Sequence, residues 1–322
     1  MPRVMLCGFV ACLFAGAPAA RADDAVEKAV ARAKELGGTV TRDEARPGKP
    51  VTLLFLSGVN VTDATLQELN PLKAANHLAL ISTAVTEDGL KGLTAFSALY
   101  SLNLDGLAMT AGSLKHVAAL PKLKVLNLHR CAVTDDGLRE LAALKSLETL
   151  SLSGLTDAGL ENLAGCRALM CLFAADAAVT DEGLKRLDDF PALKVLDVES
   201  AEVTDSGLRD LAALAVAGRL WHLDLKRTKV TDGGLKLLAA FKSVYSLSLT
   251  GTEVGDLGMK HLTPLKKKLT KLSLARTAVT DEAFLDLVKL TALADLDVTG
   301  TQVTDEGVAA FQTALPKCAV KR

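Results

Sequence analysis

Residues 123–144 read LKVLNLHRCAVTDDGLRELAAL, and this stretch decides the fold. The phrase consists of Leu-x-x-Leu-x-Leu, a short turn, and Val-Thr-Asp-x-Gly-Leu-x-x-Leu-x-x-Leu, and it returns roughly every 24 residues. A fixed period of this length predicts a solenoid, in which each unit buries its apolar face against its neighbours. The position of Val133 is filled, over eleven copies, by Val61, Val85, Met109, Val133, Leu155, Val179, Val203, Val230, Val254, Val279 and Val303.

Each copy predicts one strand followed by one helical segment. Leu126 and Leu128 are two residues apart, so both point to one face of a short strand while Asn127 points to the other. Leu138 and Leu141 are three residues apart, which places them on one side of a helical segment that packs back on the strand. The sequence therefore predicts an α/β solenoid shaped as a right-handed arc, with a parallel sheet on its concave face and short helices on its convex face.

A Thr-Asp pair stands where each helix is expected to begin. It occurs in eight of the eleven copies, which identifies it as a structural element rather than an acidic active site. Threonine and aspartate side chains accept hydrogen bonds from the free N–H groups of a first helical turn, and a carboxylate also suits the positive end of the helix dipole. We therefore expect both side chains of each pair to cap their own helix.

This pattern resembles the leucine-rich repeat family over about residues 51–315. The Thr-Asp-x-Gly-Leu turn and Cys131 resemble the cysteine-containing subclass found beside F-box domains. Short copies behind an export signal resemble the exported leucine-rich repeat proteins of planctomycete-type bacteria. Where the family pattern has Asn or Cys, this chain mostly has Thr or Ala, so the resemblance implies a weaker buried side-chain ladder.

The first 22 residues are typical of a secretory signal peptide. Arg3 is followed by an apolar stretch and then by Ala20-Arg21-Ala22, ahead of Asp23. The apolar stretch is short for a membrane span, although an uncleaved anchor is the alternative. We expect a leader at 1–22, an N-terminal cap with a helix and a strand at 23–50, the repeats at 51–315 and a C-terminal cap strand at 316–322.

Composition argues against several classes of protein. The formal net charge of −1 gives no sign of the strongly basic face that nucleic-acid binding needs. Four cysteines outside the leader are too few for a disulfide scaffold, and Cys131 takes a position that threonine fills in other copies, which predicts a small buried side chain. No metal-ligand spacing, nucleophile motif or phosphate-binding loop is present, so we expect no cofactor, no metal and no enzyme activity.

Function is expected on the exposed strand positions, which can be aligned in columns because each repeat supplies one rung. Apolar side chains are concentrated early in the columns, as at Phe55, Ile81 and Phe173, and a charged section follows later. The interval from Val203 to Val230 carries extra residues ahead of Trp221, whose ring is either a contact anchor or a cover for the lengthened helix; the pattern favours the cover. The candidate binding residues are Asp197, Glu199, His222, Asp224, Lys226, Arg227, Trp221, Phe55, Ile81, His129 and Phe173.

The resulting hypothesis is a monomeric, exported, periplasmic or cell-surface scaffold that binds a protein through the concave face. One alternative is ordinary solvated side chains with no binding role. Others are a substrate adaptor of a ubiquitin ligase, implied by the F-box-type resemblance, and an envelope protein that contacts carbohydrate.

Overall fold

The repeats form one continuous sheet. The structure is a computed structural model that describes residues 17–58, 60–110 and 112–322, and over these residues the sheet has thirteen strands in strict chain order. β1 is antiparallel to β2, and every later neighbour pair is parallel. The predicted leucine-rich repeat solenoid is confirmed. The strands are β1 (Thr39–Arg42), β2 (Val51–Ser57), β3 (His77–Ile81), β4 (Ser101–Asn103), β5 (Val125–Leu128), β6 (Thr149–Ser153), β7 (Cys171–Ala175), β8 (Val195–Asp197), β9 (His222–Asp224), β10 (Ser246–Ser248), β11 (Lys271–Ser273), β12 (Asp295–Asp297) and β13 (Ala319–Lys321).

Short helices connect successive parallel strands. The α-helices are α1 (Ala17–Glu35), α2 (Asp63–Glu68), α3 (Glu87–Lys91), α4 (Ser113–Ala118), α5 (Asp135–Leu141), α6 (Asp157–Asn162), α7 (Asp181–Leu184), α8 (Asp205–Ala213), α9 (Asp232–Leu235), α10 (Asp256–Met259), α11 (Phe284–Leu287) and α12 (Asp305–Ala314). The 3₁₀ helices are Asn70–Leu72, Gly92–Ala95, Lys185–Asp189, Lys236–Ala240, Lys260–Leu265 and Asp281–Ala283. Within the described residues, no helix combines the length and the apolar character that crossing a bilayer requires.

The core is a leucine interior between sheet and helices, as the spacing predicts. Leu126, Leu128 and Leu141 are fully buried, whereas Asn127 is half-buried on the opposite face of β5. Four fully buried phenylalanine rings also fill the interior: Phe96, Phe190 and Phe241 each follow a 3₁₀ helix, and Phe311 lies within α12. Burial of this kind contributes about 1.5–3 kcal/mol per large apolar side chain, which makes the shared interior the main source of stability.

The two ends of the solenoid are covered. At the amino end, α1 buries Ala29, Val30 and Ala33, and β1 pairs with β2. This helix begins at Ala17, before the cap boundary expected at residue 23, and most of the expected leader, residues 1–16, lies outside the described residues. At the carboxyl end, β13 extends the sheet and the guanidinium of Arg322 donates to the carbonyl of Val303 at 2.7 Å.

Threonine caps the helices as predicted. The Thr180 hydroxyl accepts from the backbone N–H of Glu182 at 3.2 Å, and the Thr134 hydroxyl accepts from Gly137 N–H at 3.2 Å. These threonines have extended backbone, the conformation of an N-cap residue. The first half of the Thr-Asp pair therefore ends the turn and begins the helix.

The aspartate of each pair has a different role, and the expectation that it caps its own helix is wrong. The Asp157 carboxylate accepts from the backbone N–H of Thr180 at 2.8 Å and from the Thr180 hydroxyl at 2.6 Å, one repeat later. The aspartate of one repeat thus accepts hydrogen bonds from the capping residue of the next repeat. We call this series of contacts the aspartate ladder. It joins Asp63 to Thr86, Asp135 to Thr156, Asp157 to Thr180, Asp181 to Thr204, Asp205 to Thr231, Asp232 to Gly255, Asp256 to Thr280 and Asp281 to Thr304.

The glycine of the Thr-Asp-x-Gly motif makes room for the aspartate ladder. A Cβ atom placed on Gly183 would overlap the Asp157 carboxylate, and one on Gly207 would overlap that of Asp181. The backbone at these glycines is helical, so the requirement is space and not an unusual φ angle. The motif therefore supplies both the carboxylate that hydrogen-bonds to the next repeat and the space that this carboxylate occupies.

Candidate binding surface on the open face of the sheet

The predicted columns are present, in register, on the solvent-facing side of the sheet, here called the open face. Strand pairing aligns one side chain per strand in the central column, and nearly all of them are half-buried. Neighbouring rungs of a sheet are about 4.8 Å apart, so the column forms a continuous row. In order from β2 to β12 its members are Phe55, Ala79, Asn103, Asn127, Ser151, Phe173, Asp197, Asp224, Ser248, Ser273 and Asp297.

Polar side chains of the central column also accept hydrogen bonds from backbone N–H groups just after the strands. The Asn127 amide oxygen accepts from the backbone N–H of His129 at 2.9 Å. Asp197 accepts in the same way from Glu199 N–H at 3.0 Å, and Asp224 from Lys226 N–H at 2.8 Å. An aspartate or asparagine at this position satisfies a backbone donor that the next strand does not reach. Part of the polarity of the open face is therefore structural.

Two carboxylates lie side by side in the predicted charged section. Asp197 of β8 and Asp224 of β9 are direct register partners. Burial, and next the neighbouring Asp224 carboxylate, raises the pKa of Asp197 to about 6. Burial also lowers the pKa of His222, whose Nδ1 lies 2.9 Å from the Ser246 hydroxyl. The pair gives this part of the open face a local negative charge that the protein holds at a cost in solvation.

The other charges of the section form ion pairs, in which the single carboxylate of Glu199 contacts two cations. Lys226 Nζ lies 2.7 Å from a Glu199 carboxylate oxygen, and Arg227 Nη1 lies 3.3 Å from the same oxygen. Arg227 holds a left-handed backbone, with φ of 57°, in the turn after β9. The structure therefore brings five of the predicted charged residues and His222 together on β8, β9 and the turns that follow them. Of these charged residues, Asp197 and Asp224 form no ion pair with the described residues.

The alternative in which the Trp221 ring is buried over the lengthened helix is wrong. The residue is 39% exposed and stands immediately before β9. Its ring packs edge-on against Tyr245 at a centroid distance of 5.9 Å, and Lys194 Nζ lies 5.8 Å from its centroid. Trp221 is therefore available for contact, beside the charged section.

The apolar candidates lie apart from the charged section. Phe55 is 38% exposed on β2, and Ile81 is half-buried on β3. His129 follows β5 and its Nδ1 lies 3.2 Å from the Ser153 hydroxyl. β3 and β8 are five rungs apart, roughly 24 Å at the usual strand spacing. Only Phe173, on β7, adjoins Asp197, so the structure divides the eleven candidates into two zones.

Within the part of the chain that the structure describes, the side chains that could bind a metal are not clustered, and Cys131 and Cys166 are buried. Among residues 17–58, 60–110 and 112–322, no group of three or more His, Cys, Asp or Glu side chains is placed to hold a metal ion. Cys131 is buried, as predicted, and its Sγ lies 3.1 Å from the Leu104 carbonyl oxygen. Burial raises the pKa of Cys166 to about 11, which keeps that thiol protonated and unreactive.

A shallow groove of about 350 Å³ lies on the open face near its carboxyl end. Its floor is formed by β10 to β13, and its charged rim is internally paired, with Lys271 3.7 Å from Asp295 and Lys321 3.2 Å from Asp297. The groove continues the row of serines Ser248 and Ser273. It extends the surface that carries Asp197 and Asp224 toward the carboxyl end of the sheet.

Comparison with known proteins agrees with this architecture. Residues 119–142 and 290–311 match the family described as Leucine Rich repeat. An internalin from Listeria monocytogenes has a similar structure, with a TM-score of 0.55 and 20% identity over 93% of this chain and 94% of that one. A leucine-rich repeat protein from Leptospira interrogans gives a TM-score of 0.46 and 16% identity over 89% and 94% of the two chains. No curated protein matches the sequence. The chain has the leucine-rich repeat fold, and two of its segments match the leucine-rich repeat family model.

Proposed function

We propose that this protein is a non-catalytic scaffold that binds a protein partner through the open face. The observation that carries the proposal is the continuous, half-exposed central column, which eleven parallel strands hold in register. A continuous, extended surface of this kind suits another macromolecule better than a small molecule, which binds best in an enclosed apolar pocket.

The centre of the proposed site is the section on β8 and β9. Asp197 and Asp224 supply two adjacent carboxylates that form no ion pair with the described residues, and the exposed Trp221 stands beside them. Interfaces concentrate their binding energy in a few aromatic and charged residues, surrounded by contacts that contribute little. A cationic side chain of the partner would form ion pairs with both carboxylates. Trp221 would pack against apolar parts of the partner next to that side chain.

Export to the periplasm or the cell surface is part of the proposal, and it rests on the leader-like segment at residues 1–22. Mass spectrometry of the protein from its native cells should find an N-terminus near Asp23. Recovery of a soluble form that retains Met1 would overturn export, and it would favour the intracellular adaptor role that the F-box-type resemblance implies.

Site-specific photo-crosslinking tests the binding face. A benzoylphenylalanine placed at Ser151 or Ser248 should crosslink one defined protein in the source organism, because both positions lie in the central column. Matched positions on the helical side, Lys236 and Lys260, are exposed and should give no such product. Equal products from both sides, or none from the open face, would contradict the proposal.

A further inference from the structure

All tyrosines and the tryptophan of the chain occupy one repeat position. The chain has two Tyr and one Trp, and Tyr100, Trp221 and Tyr245 each stand directly before a strand. All three are 39–40% exposed. Their backbone N–H groups pair in the same way, Trp221 with Lys194 and Tyr245 with Trp221, which fixes them at one edge of the sheet. This edge, where the parallel strands begin, is here called the amino edge.

The amino edge is also basic. Three positions of each repeat lie at this edge. One is the residue directly before the strand; the other two are separated from it by a single residue, usually leucine or valine. These positions carry many cations, and Glu148 is the only acid among them. Its charge contrasts with that of the opposite edge, where the acidic residues of the aspartate ladder lie. The basic residues of the amino edge, in chain order, are Lys73, Lys122, Lys124, Lys145, Arg167, Lys194, Arg219, Lys242, Lys267, Lys268 and Lys317.

Between β7 and β11 these cations have no acidic partner. Arg167, Lys194, Arg219, Lys242 and Lys267 are exposed, and none of them forms an ion pair with any of the described residues. At β5, by contrast, Lys124 is paired with Glu148 at 2.6 Å. Unpaired cations thus lie on both sides of the two adjoining aromatic rings, Trp221 and Tyr245.

Two acidic residues lie near this segment without neutralising it. Asp188 accepts from the backbone N–H of Val216 at 3.2 Å, in the inserted turn that precedes Trp221. Asp189 ends the 3₁₀ helix over Lys185–Asp189. The insertion lengthens the connection at this edge, where the exposed Arg219 lies two residues before the exposed Trp221. The longest repeat therefore contributes both a cation and an exposed aromatic ring to the amino edge.

The geometry of the rings favours a polypeptide over a base or sugar. Trp221 and Tyr245 meet at 72°, so they present one ring face and one ring edge and not two parallel platforms. Stacking of successive bases needs parallel ring faces, whereas an edge-on aromatic pair is a common anchor in protein interfaces. The overall charge of −1 also works against long-range attraction of a polyanionic nucleic acid.

We infer that the amino edge between β7 and β11 binds an extended acidic segment of a polypeptide, with an apolar side chain of that segment packed on Trp221 and Tyr245. Four rung spacings span about 19 Å, which an extended chain covers in about six residues. Carboxylates spaced along such a segment would meet Lys194, Arg219 and Lys242. This inference rests on the proposed protein-binding function and specifies one segment of the partner and where it lies.

A synthetic decapeptide of Glu and Asp around a central Phe is the probe, and the same peptide with Gln and Asn is its neutral control. Trp221 is the only tryptophan, so a change in its emission reports binding at the amino edge directly. The acidic peptide should bind, and its affinity should fall with rising ionic strength, because exposed charges are screened. The neutral peptide should bind at least about tenfold more weakly.

Charge reversal tests the location. Arg219→Glu with Lys242→Glu should weaken binding of the acidic peptide at least about tenfold. Lys236→Glu with Lys260→Glu makes the same charge change in neighbouring repeats on the helical side and should alter affinity less than about twofold. Trp221→Ala, followed by the anisotropy of a labelled peptide, should also weaken binding about tenfold or more.

Three outcomes would overturn the inference. Equal losses in the two charge-reversal pairs would show a net-charge effect only. No binding of the acidic peptide to the folded protein would remove the site. Binding of an oligonucleotide or a heparin fragment at the amino edge, without binding of the peptide, would assign it to another polyanion. Crosslinking from Ser151 or Ser248 tests binding at the open face independently. If these crosslinks form but the amino edge binds no acidic peptide, the proposed function stands and this inference is wrong.

Discussion

Asp181 and Thr204 join two successive repeats through a pair of hydrogen bonds. The backbone N–H of Thr204 donates to one carboxylate oxygen of Asp181 at 2.8 Å, and the Thr204 hydroxyl donates to the other at 2.7 Å. The same hydroxyl accepts from Ser206 N–H at 3.1 Å, at the start of α8. A carboxylate in one repeat thus orients the residue that caps the helix of the next, which couples the repeats beyond their shared leucine interior.

Replacement of Asp181 by alanine should lower the free energy of unfolding by about 2 kcal/mol, because two charge-assisted hydrogen bonds are lost and a capping threonine loses its support. Urea denaturation measures this change. Glu140→Ala removes an exposed carboxylate that has no ion pair with the described residues, and it should cost less than about 0.5 kcal/mol. Similar losses in the two variants would mean that the aspartate ladder adds nothing measurable.

The glycine beside the aspartate ladder should reject even a methyl group. Gly183→Ala should destabilise by about 1–3 kcal/mol, because its Cβ would displace the Asp157 carboxylate from Thr180. Gly92→Ala is the matched control, since Gly92 has a helical backbone and open space around its Cβ position. That variant should be stabilised by about 0.4–1 kcal/mol. Stabilisation by both substitutions would refute the spatial role of Gly183.

The sequence predicts the fold well because the fold is local and repeated. The spacing of Leu126, Leu128 and Leu141 determines strand phase and helix face, and eleven copies leave little ambiguity. The target of Asp181 could not be predicted in the same way. A carboxylate at a helix start is equally suited to its own N–H groups and to a neighbour, and only the stacking of repeats decides between them.

The basic character of the amino edge could not be predicted from composition, for a different reason. A net charge of −1 averages over a basic edge and an acidic edge, so composition shows neither. The signal was present in the register, because Tyr100, Trp221 and Tyr245 fall at the same place in their repeats. The side-chain partners were not visible there. Lys226, for example, is typical of an exposed binding residue in sequence but is paired with Glu199 in the structure.

Core and open-face positions of one strand should respond differently to truncation. Leu126→Ala should cost about 2–5 kcal/mol, because it empties a fully buried site. Asn127→Ala should cost about 1 kcal/mol, since it leaves the N–H of His129 without its side-chain acceptor. Urea denaturation compares the two. Asn127→Asp keeps the acceptor, so a loss as large as that of Asn127→Ala would show that this hydrogen bond is unimportant.

The carboxylate pair should make stability depend on pH between about 4 and 6. Burial and the Asp224 carboxylate raise the pKa of Asp197 to about 6, above the ordinary value of about 3.9 for an unfolded chain. In this window the folded protein binds the Asp197 proton and the unfolded chain does not. The contribution of Asp197 to stability therefore falls as pH rises through the window, and it stays at its lower level above about pH 6.

Asp197→Asn should remove this dependence and raise the unfolding free energy at pH 7 by about 1 kcal/mol, a figure that allows for partial solvent screening. The amide oxygen still accepts from Glu199 N–H, as Asn127 does from His129 N–H on β5. Asp105→Asn is a control of opposite sign. The hydrogen-bonded Arg130 guanidinium lowers the pKa of Asp105, so that variant should be destabilised at pH 7 and should approach the parent in acid. Urea denaturation from pH 4 to pH 7 should therefore show an advantage of Asp197→Asn that grows up to about pH 6. A constant difference across this range, or a less stable variant at pH 7, would mean that Asp197 ionises as an ordinary surface carboxylate and that the open face does not hold costly negative charge at β8 and β9.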